Sequence, residues 1–134
     1  KGWSPLAWQI LEGKNTIPIS LFEAVEGVDA GDIYLLDYIN LNGDELNDEI
    51  KHKQGLMVKD MVLKYIDNYD NIVGKTQIGD STFYPRRTSK DSEIDINKSI
   101  KSQFNLLRVA DNKRYPAFFY LNDKKYILKI YEEK

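Results

Sequence analysis

The stretch EAVEGVDAGDIYLL, residues 23–36, places Asp29 and Asp32 around a glycine between two apolar runs. A carboxylate at the end of one buried strand can orient and charge-stabilise a histidine, or hold a water. In open α/β sheets ligands sit outside the carboxyl ends of strands, and Asp29 falls at such a point. Both aspartates equally suit an ordinary turn, because Asp side chains bond their own backbone two residues on. Taken alone, the residues leave Asp29 open between these two roles.

Arg86 and Arg87 form a second candidate, directly after Tyr84-Pro85. An arginine on such an arm suits a phosphate or carboxylate, and a solvated pair is the alternative. Adjacent side chains in an extended segment point to opposite sides, so at most one is expected to face a given pocket. Arg108, near the end of a predicted helix, equally suits the helix C-terminus through the dipole. Metal chemistry has little to work with: there are no cysteines and His52 is the single histidine. It lies about 200° from Ile50 at 100° per residue, so it points away from the apolar face and reads as a solvated surface residue. No His/Cys/Asp cluster has ligand spacing. No phosphate-cradling glycine loop and no nucleophile elbow appears.

The elements that must position these residues follow from pattern. Ser4-Pro5 reads as a helix start, with serine capping, and Gly13 as its stop, predicting a helix over 5–12. IPISLFEAV and GDIYLLDYINL read as two strands joined by a tight loop over 26–31. Both runs are largely apolar, so both faces are expected to be buried under helices. From Asp44, a predicted cap, to about Tyr69 a helix is expected, with Leu46, Ile50, Met57, Met61 and Tyr65 on its apolar stripe. Residues 75–95 are polar and turn-rich and read as a long connection. Asn97 to Val109 is again helical, with Ile100, Phe104 and Leu107 on one face. The segment YPAFFYLNDKKYILKI reads as a hairpin turning at Asn122-Asp123.

A length of 134 residues suits one compact domain or a piece of a larger one, and 42% hydrophobic content supplies a core. A net charge of −2 argues against an electrostatically driven nucleic-acid binder. The lack of cysteine fits a reducing, cytoplasmic setting. No apolar run reaches membrane-spanning length and no signal peptide is visible.

In order, these pieces resemble the second half of the folate-dependent formyltransferase domain. An [RK]-G-x-x-P-x-x-W turn appears as Lys1-Gly2, Pro5 and Trp8, and a D-x-G-D/A-I loop as Asp29, Gly31, Asp32 and Ile33. Further on, RRTSKD, NLLRVA and YPAFFY look closest to the branch that formylates amino sugars on nucleotide carriers. Coverage is nearly the whole chain. The resemblance implies an α/β fold: the second half of a Rossmann-like sheet domain over 1–75, then a linker arm, a helix and a terminal β-hairpin over 76–134. It implies 10-formyltetrahydrofolate as formyl donor, no metal, and the amine of a nucleotide-linked amino sugar as acceptor. Methionyl-tRNA is the other acceptor considered, and a non-catalytic α/β binding module is the rival from outside enzymology.

The same resemblance places Asp29 at the family's catalytic aspartate, which orients a protonated histidine and an ordered water. It places Val25, Glu26, Gly27 and Val28 in the loop that wraps the pterin ring, largely through backbone groups, and Arg87 at a substrate-side arginine. The family's Asn and His come from an N-x-H motif upstream of the K-G-W turn, and this chain contains no N-x-H. The 134 residues are therefore expected to be the C-terminal part of an enzyme, to bind folate poorly and to catalyse nothing by themselves. Dimerisation through an exposed sheet edge is a further expectation.

Overall fold

The computed structural model describes residues 2–27, 29–79 and 83–133. Helix α1 spans Pro5–Leu11 and strands β1 and β2 span Thr16–Phe22 and Ile33–Asn40. A long helix α2 covers Asn47–Asp67, and a short helix α3 covers Phe104–Val109. Strands β3 and β4, Ala117–Leu121 and Lys124–Leu128, close the chain. Among the described residues there are two separate two-stranded antiparallel sheets, β1-β2 and β3-β4. No described helix is long and apolar enough to cross a membrane.

The first core cluster joins Ile10, Ile17, Ile39, Leu41, Ile50 and Val109. The second joins Ile94, Leu107, Ala110 and Ala117. Helix α3 links the two, because it sends Val109 into one cluster and Leu107 into the other. Along α2 the predicted stripe holds from Ile50 onward, with Ile50 and Met61 buried and Met57 and Tyr65 half-buried, whereas Leu46 precedes the helix as its N-cap residue. The hairpin turns where expected, with Asn122 and Asp123 at φ 50° and 60°. Two successive positive φ values make a type I′ turn, whose twist matches the flanking strands.

Four expectations are corrected. Ser4 has a φ of 49° and its side chain caps nothing, so α1 starts on Pro5 without a serine cap. Asp44 does not cap α2, which begins at Asn47. The carboxylates that hold the turn are Glu45, accepting from the amides of Asn42 and Gly43, and Glu49, accepting from the amide of Leu46. The first sheet is not buried on both faces: Leu36 and Tyr38 are 55% and 45% exposed, while Ile39 between Tyr38 and Asn40 is buried. Continuous apolar composition overstated burial because exposed apolar residues are common on any surface. Helix α3 is shorter than predicted. Residues 101–103 form a 3₁₀ turn and Ile100 is exposed, so only Phe104 and Leu107 of the expected face pack.

The polar connection is also more structured than its composition suggested. Lys75 pairs backbone-to-backbone with Ile33, and Tyr84 pairs with Gly2. Gly2 is at φ 72°, and a Cβ there would stand 2.5 Å from the Tyr84 carbonyl oxygen, so this crossing requires glycine.

Candidate functional site

Residues 23–32 connect β1 to β2 beyond a register shift at Leu21/Phe22. The base of this loop is closed by the Glu23 amide donating to the Asp32 carbonyl at 2.9 Å. Gly31 is buried there, and a Cβ on it would lie 2.0 Å from the Glu23 carbonyl oxygen. Gly31→Ala is therefore expected to open the loop base and destabilise the protein by about 1–3 kcal/mol. A thermal midpoint equal to wild type would show that the loop yields without cost.

Asp29 sits exposed near the top of the loop at φ 54°. Aspartate tolerates the left-handed region better than most residues because its short polar side chain bonds locally. The Gln77 side chain reaches across from the connection and donates to the carbonyls of Asp29 and Gly31, both at 2.7 Å. Asp29 and Gln77 line a cavity of about 450 Å³, whose walls include Phe22, Ile33 and Leu36. Val25, Glu26 and Gly27 are exposed in the same loop and do not line that cavity. Val28, like Lys1 of the opening turn, lies outside the described residues.

A second cavity, of about 480 Å³, is lined by Arg86 and Arg87 together with Trp3, Lys51, Asp111 and Arg114. Both arginines thus face one pocket, contrary to the expectation from simple strand alternation. Arg86 and Arg87 lie in a segment that belongs to no strand, so strand alternation does not govern where their side chains point. Arg86 stacks over the Trp3 ring, 5.1 Å from its centroid. Arg87 is half-buried, donates to the Asp91 carbonyl at 3.0 Å, and keeps its Nε buried without a hydrogen-bond partner. Burial pushes the Arg87 guanidinium down from its usual range, and the nearby Asp91 charge opposes this. Asp91 itself is held below the usual carboxylate range, chiefly by the Thr88 amide.

The arginine arm is pinned to α1. The Trp3 amide donates to the Tyr84 carbonyl at 3.0 Å, and the Trp8 indole donates to the Pro85 carbonyl at 2.9 Å. The Tyr84 ring stacks on Trp8 and its hydroxyl donates to Glu12. On the opposite wall Asp111 accepts from Lys51 at 2.9 Å and from Arg114 at 3.1 Å. Lys51 and these other donors hold the Asp111 carboxyl well below the usual range. Four cations therefore face this cavity against one carboxylate, in a chain whose net charge is −2. Such a surplus in a concave site suits an anion. The two cavities adjoin, with Pro5, Leu6 and Gln54 lining both; Asp29 lines one and Arg87 the other.

Arg108 does not serve its helix end as the sequence suggested. It is 1% exposed and reaches Glu45, Asn15 and Asn105. Neither Gln77 nor the Trp3, Lys51 and Arg114 wall was singled out from sequence. Each is an ordinary polar or aromatic residue until the fold brings it opposite a distant segment. His52 is exposed on α2, and among the described residues no group of three His, Asp or Glu side chains could hold a metal ion.

No protein-family model matches the chain. Among curated proteins it is 26% identical over 130 residues to the methionyl-tRNA formyltransferase of Thermodesulfovibrio yellowstonii, covering 93% of this chain and 41% of that protein. The chain thus spans about two fifths of that relative's length. Its fold superposes on methionyl-tRNA formyltransferase from Clostridium thermocellum with a TM-score of 0.79 at 21% identity, covering all of this chain and 58% of the other. A 4-N formyltransferase from Francisella tularensis gives 0.78 at 20% identity, over 99% of this chain and 57% of that one. HypX from Aquifex aeolicus in complex with tetrahydrofolic acid gives 0.77 at 20% identity, over 97% and 23% respectively. The methionyl-tRNA and sugar formyltransferases among these relatives and neighbours share the α/β architecture seen here, which is the formyltransferase fold.

Proposed function

We propose that this chain is part of an N-formyltransferase that moves a formyl group from 10-formyltetrahydrofolate to the amine of a nucleotide-linked amino sugar. The similarity to formyltransferases over nearly the whole chain supports the reaction class. The observation that carries the reading is the pair of adjoining cavities, one lined by Asp29 and the other by four cations. The donor supplies the one-carbon unit at the acyl oxidation level.

The roles of the chain's own residues follow from their positions. The Asp29 carboxylate orients and charge-stabilises an imidazolium and a water beside the reacting carbon. That imidazole comes from outside these residues, because His52 is exposed on α2. The loop that includes Val25, Glu26, Gly27 and Val28 presents backbone groups to the pterin ring. Arg87, with Arg86, Lys51 and Arg114, holds the acceptor's diphosphate, which guanidinium groups match in charge and geometry. Gathering the acceptor at both ends fixes its amine near the formyl carbon and lowers the entropic part of the barrier. Residues 1–75 carry the donor side in this reading and add Lys51 to the acceptor pocket, and residues 76–134 supply the acceptor-side arm.

A second reading, methionyl-tRNA as acceptor, is favoured by the names of the first curated relatives. Formylation assays with dTDP- and UDP-linked amino sugars and with methionyl-tRNA at 50 and 200 mM salt separate the two. A tRNA substrate held by several phosphate contacts is expected to lose roughly 10³-fold in affinity across that range, and a nucleotide sugar far less. Formyl transfer to none of these acceptors by the protein as its cell makes it would sink the enzyme reading.

A further inference from the structure

We infer that Gln77 is a positioning residue for Asp29, an inference that rests on the formyl-transfer reading. Both N–H groups of the Gln77 amide are engaged, one on the Asp29 carbonyl and one on the Gly31 carbonyl, each at 2.7 Å. These bonds orient the peptide planes that follow Asp29 and Gly31. The plane after Asp29 helps set where its Cα–Cβ bond points, and with it the direction of the carboxylate. The base of the loop is closed by the Glu23–Asp32 bond at 2.9 Å, and nearer Asp29 the Ala30 amide donates to the Gly27 carbonyl at 3.4 Å. The Gln77 bonds tie the stretch between them to a separate segment of the chain.

Asp29 is held at φ 54°, and a non-glycine residue persists there when its surroundings over-determine it. Gln77 is itself delivered by pairing. The Ile33 amide donates to the Lys75 carbonyl at 2.8 Å, and the Lys75 amide returns a bond to Ile33 at 2.9 Å. The segment over 75–77 therefore lies alongside the start of β2 and projects the glutamine amide over the loop. Gln77 and Asp29 line the same cavity, so the clamp stands at the wall of the proposed site.

The test uses Gln77→Leu and Gln77→Glu, alone and combined with Asp29→Asn. Turnover is followed with 10-formyltetrahydrofolate and whichever of a dTDP-linked amino sugar, a UDP-linked amino sugar or methionyl-tRNA the protein formylates. Leucine removes the donors, and glutamate keeps the shape but turns oxygen toward two carbonyl oxygens. Each single variant is expected to lower kcat roughly 10- to 100-fold with little change in KM, because a catalytic group is displaced and ligand contacts are kept. In the Asp29→Asn background the Gln77 changes are expected to add almost nothing, since they act through the missing carboxylate.

Amide exchange gives a readout that needs no turnover. The Glu23 and Ala30 amides are expected to exchange roughly tenfold faster in Gln77→Leu while α2 is unchanged. Wild-type kcat, a rise in KM alone, full additivity with Asp29→Asn, or unchanged loop exchange would each overturn the inference. Loss of activity in Asp29→Asn together with normal Gln77→Leu turnover would overturn this inference and leave the formyl-transfer reading standing. Normal turnover in Asp29→Asn would overturn this inference together with the catalytic role of Asp29, whereas no formyl transfer by the wild type would remove the formyl-transfer reading itself.

Discussion

Asp29→Asn is expected to lower formyl transfer by roughly 10³-fold while the thermal midpoint stays close to wild type. The substitution removes one negative charge and changes almost no volume. Asparagine accepts the left-handed backbone as readily as aspartate, and Asp29 sits there at φ 54° on an exposed loop. Alanine is a poorer probe, because it would add backbone strain to the loss of charge. In the proposed reaction, the Asn variant would lack the field that orients and stabilises an imidazolium beside the developing oxyanion. That field matters more once bound ligands exclude water. Retention of wild-type turnover in Asp29→Asn, with 10-formyltetrahydrofolate as donor, would end the catalytic assignment and return Asp29 to the role of a turn residue.

Arg108→Leu is expected to cost about 3–5 kcal/mol of stability, the largest loss from any single side chain here. Arg108 donates to the Glu45 carboxylate at 3.2 Å and to the Glu45 carbonyl at 3.2 Å. It also donates to Asn15 at 3.1 Å and to Asn105 at 2.9 Å. The residue is 1% exposed, and Glu45 is 5% exposed. Leucine would leave a buried carboxylate with Lys53 as its remaining ion partner among the described residues. The penalty is mainly that of an under-compensated buried charge, so Arg108→Leu combined with Glu45→Leu is expected to recover part of it. If the double variant is no more stable than Arg108→Leu, the pair is not the source of the loss.

Acid unfolding tests the other contacts of Glu45. Burial alone pushes the Glu45 carboxyl up. The Lys53 ammonium and the amides of Asn42, Glu45 and Gly43 outweigh burial and hold it at about 2. A folded-state value below the unfolded 4.5 means the stability is fully present above about pH 4.5. It is lost as pH falls toward about 2, on the order of 3 kcal/mol in all. Urea midpoints at pH 6, 4 and 2.5 should fall in that order for the wild type and more gently for Glu45→Gln. Parallel curves for the two proteins would show that Glu45 does not carry the acid sensitivity.

Local pattern was a good guide wherever one segment decides its own conformation. Pro5 started α1, Gly13 stopped it at φ 84°, and the α2 stripe at Ile50, Met57, Met61 and Tyr65 found the core side. Asn122-Asp123 set the hairpin turn because both residues tolerate positive φ. The pattern failed where caps compete. Asp44, Glu45 and Glu49 are all plausible N-terminal carboxylates by type, and only packing shows that Glu45 and Glu49 bind the turn amides. It failed again on the β1-β2 sheet, because apolar composition does not say whether a second layer covers a face.

The sequence by itself determined the element types, the acidic loop between two strands, the arginine pair and the likeness to formyltransferases. These depend on residue chemistry and near-neighbour order, and both are written along the chain. Tertiary structure alone decided which partners meet. Trp8 finds Pro85, 77 positions away, Gln77 finds Asp29, 48 away, and Arg108 finds Glu45, 63 away. No periodicity encodes such pairs, because they arise when burial of the two core clusters folds distant segments onto each other. A polar connection by composition thus became the strap that delivers Arg86 and Arg87 to their cavity and clamps the loop that carries Asp29.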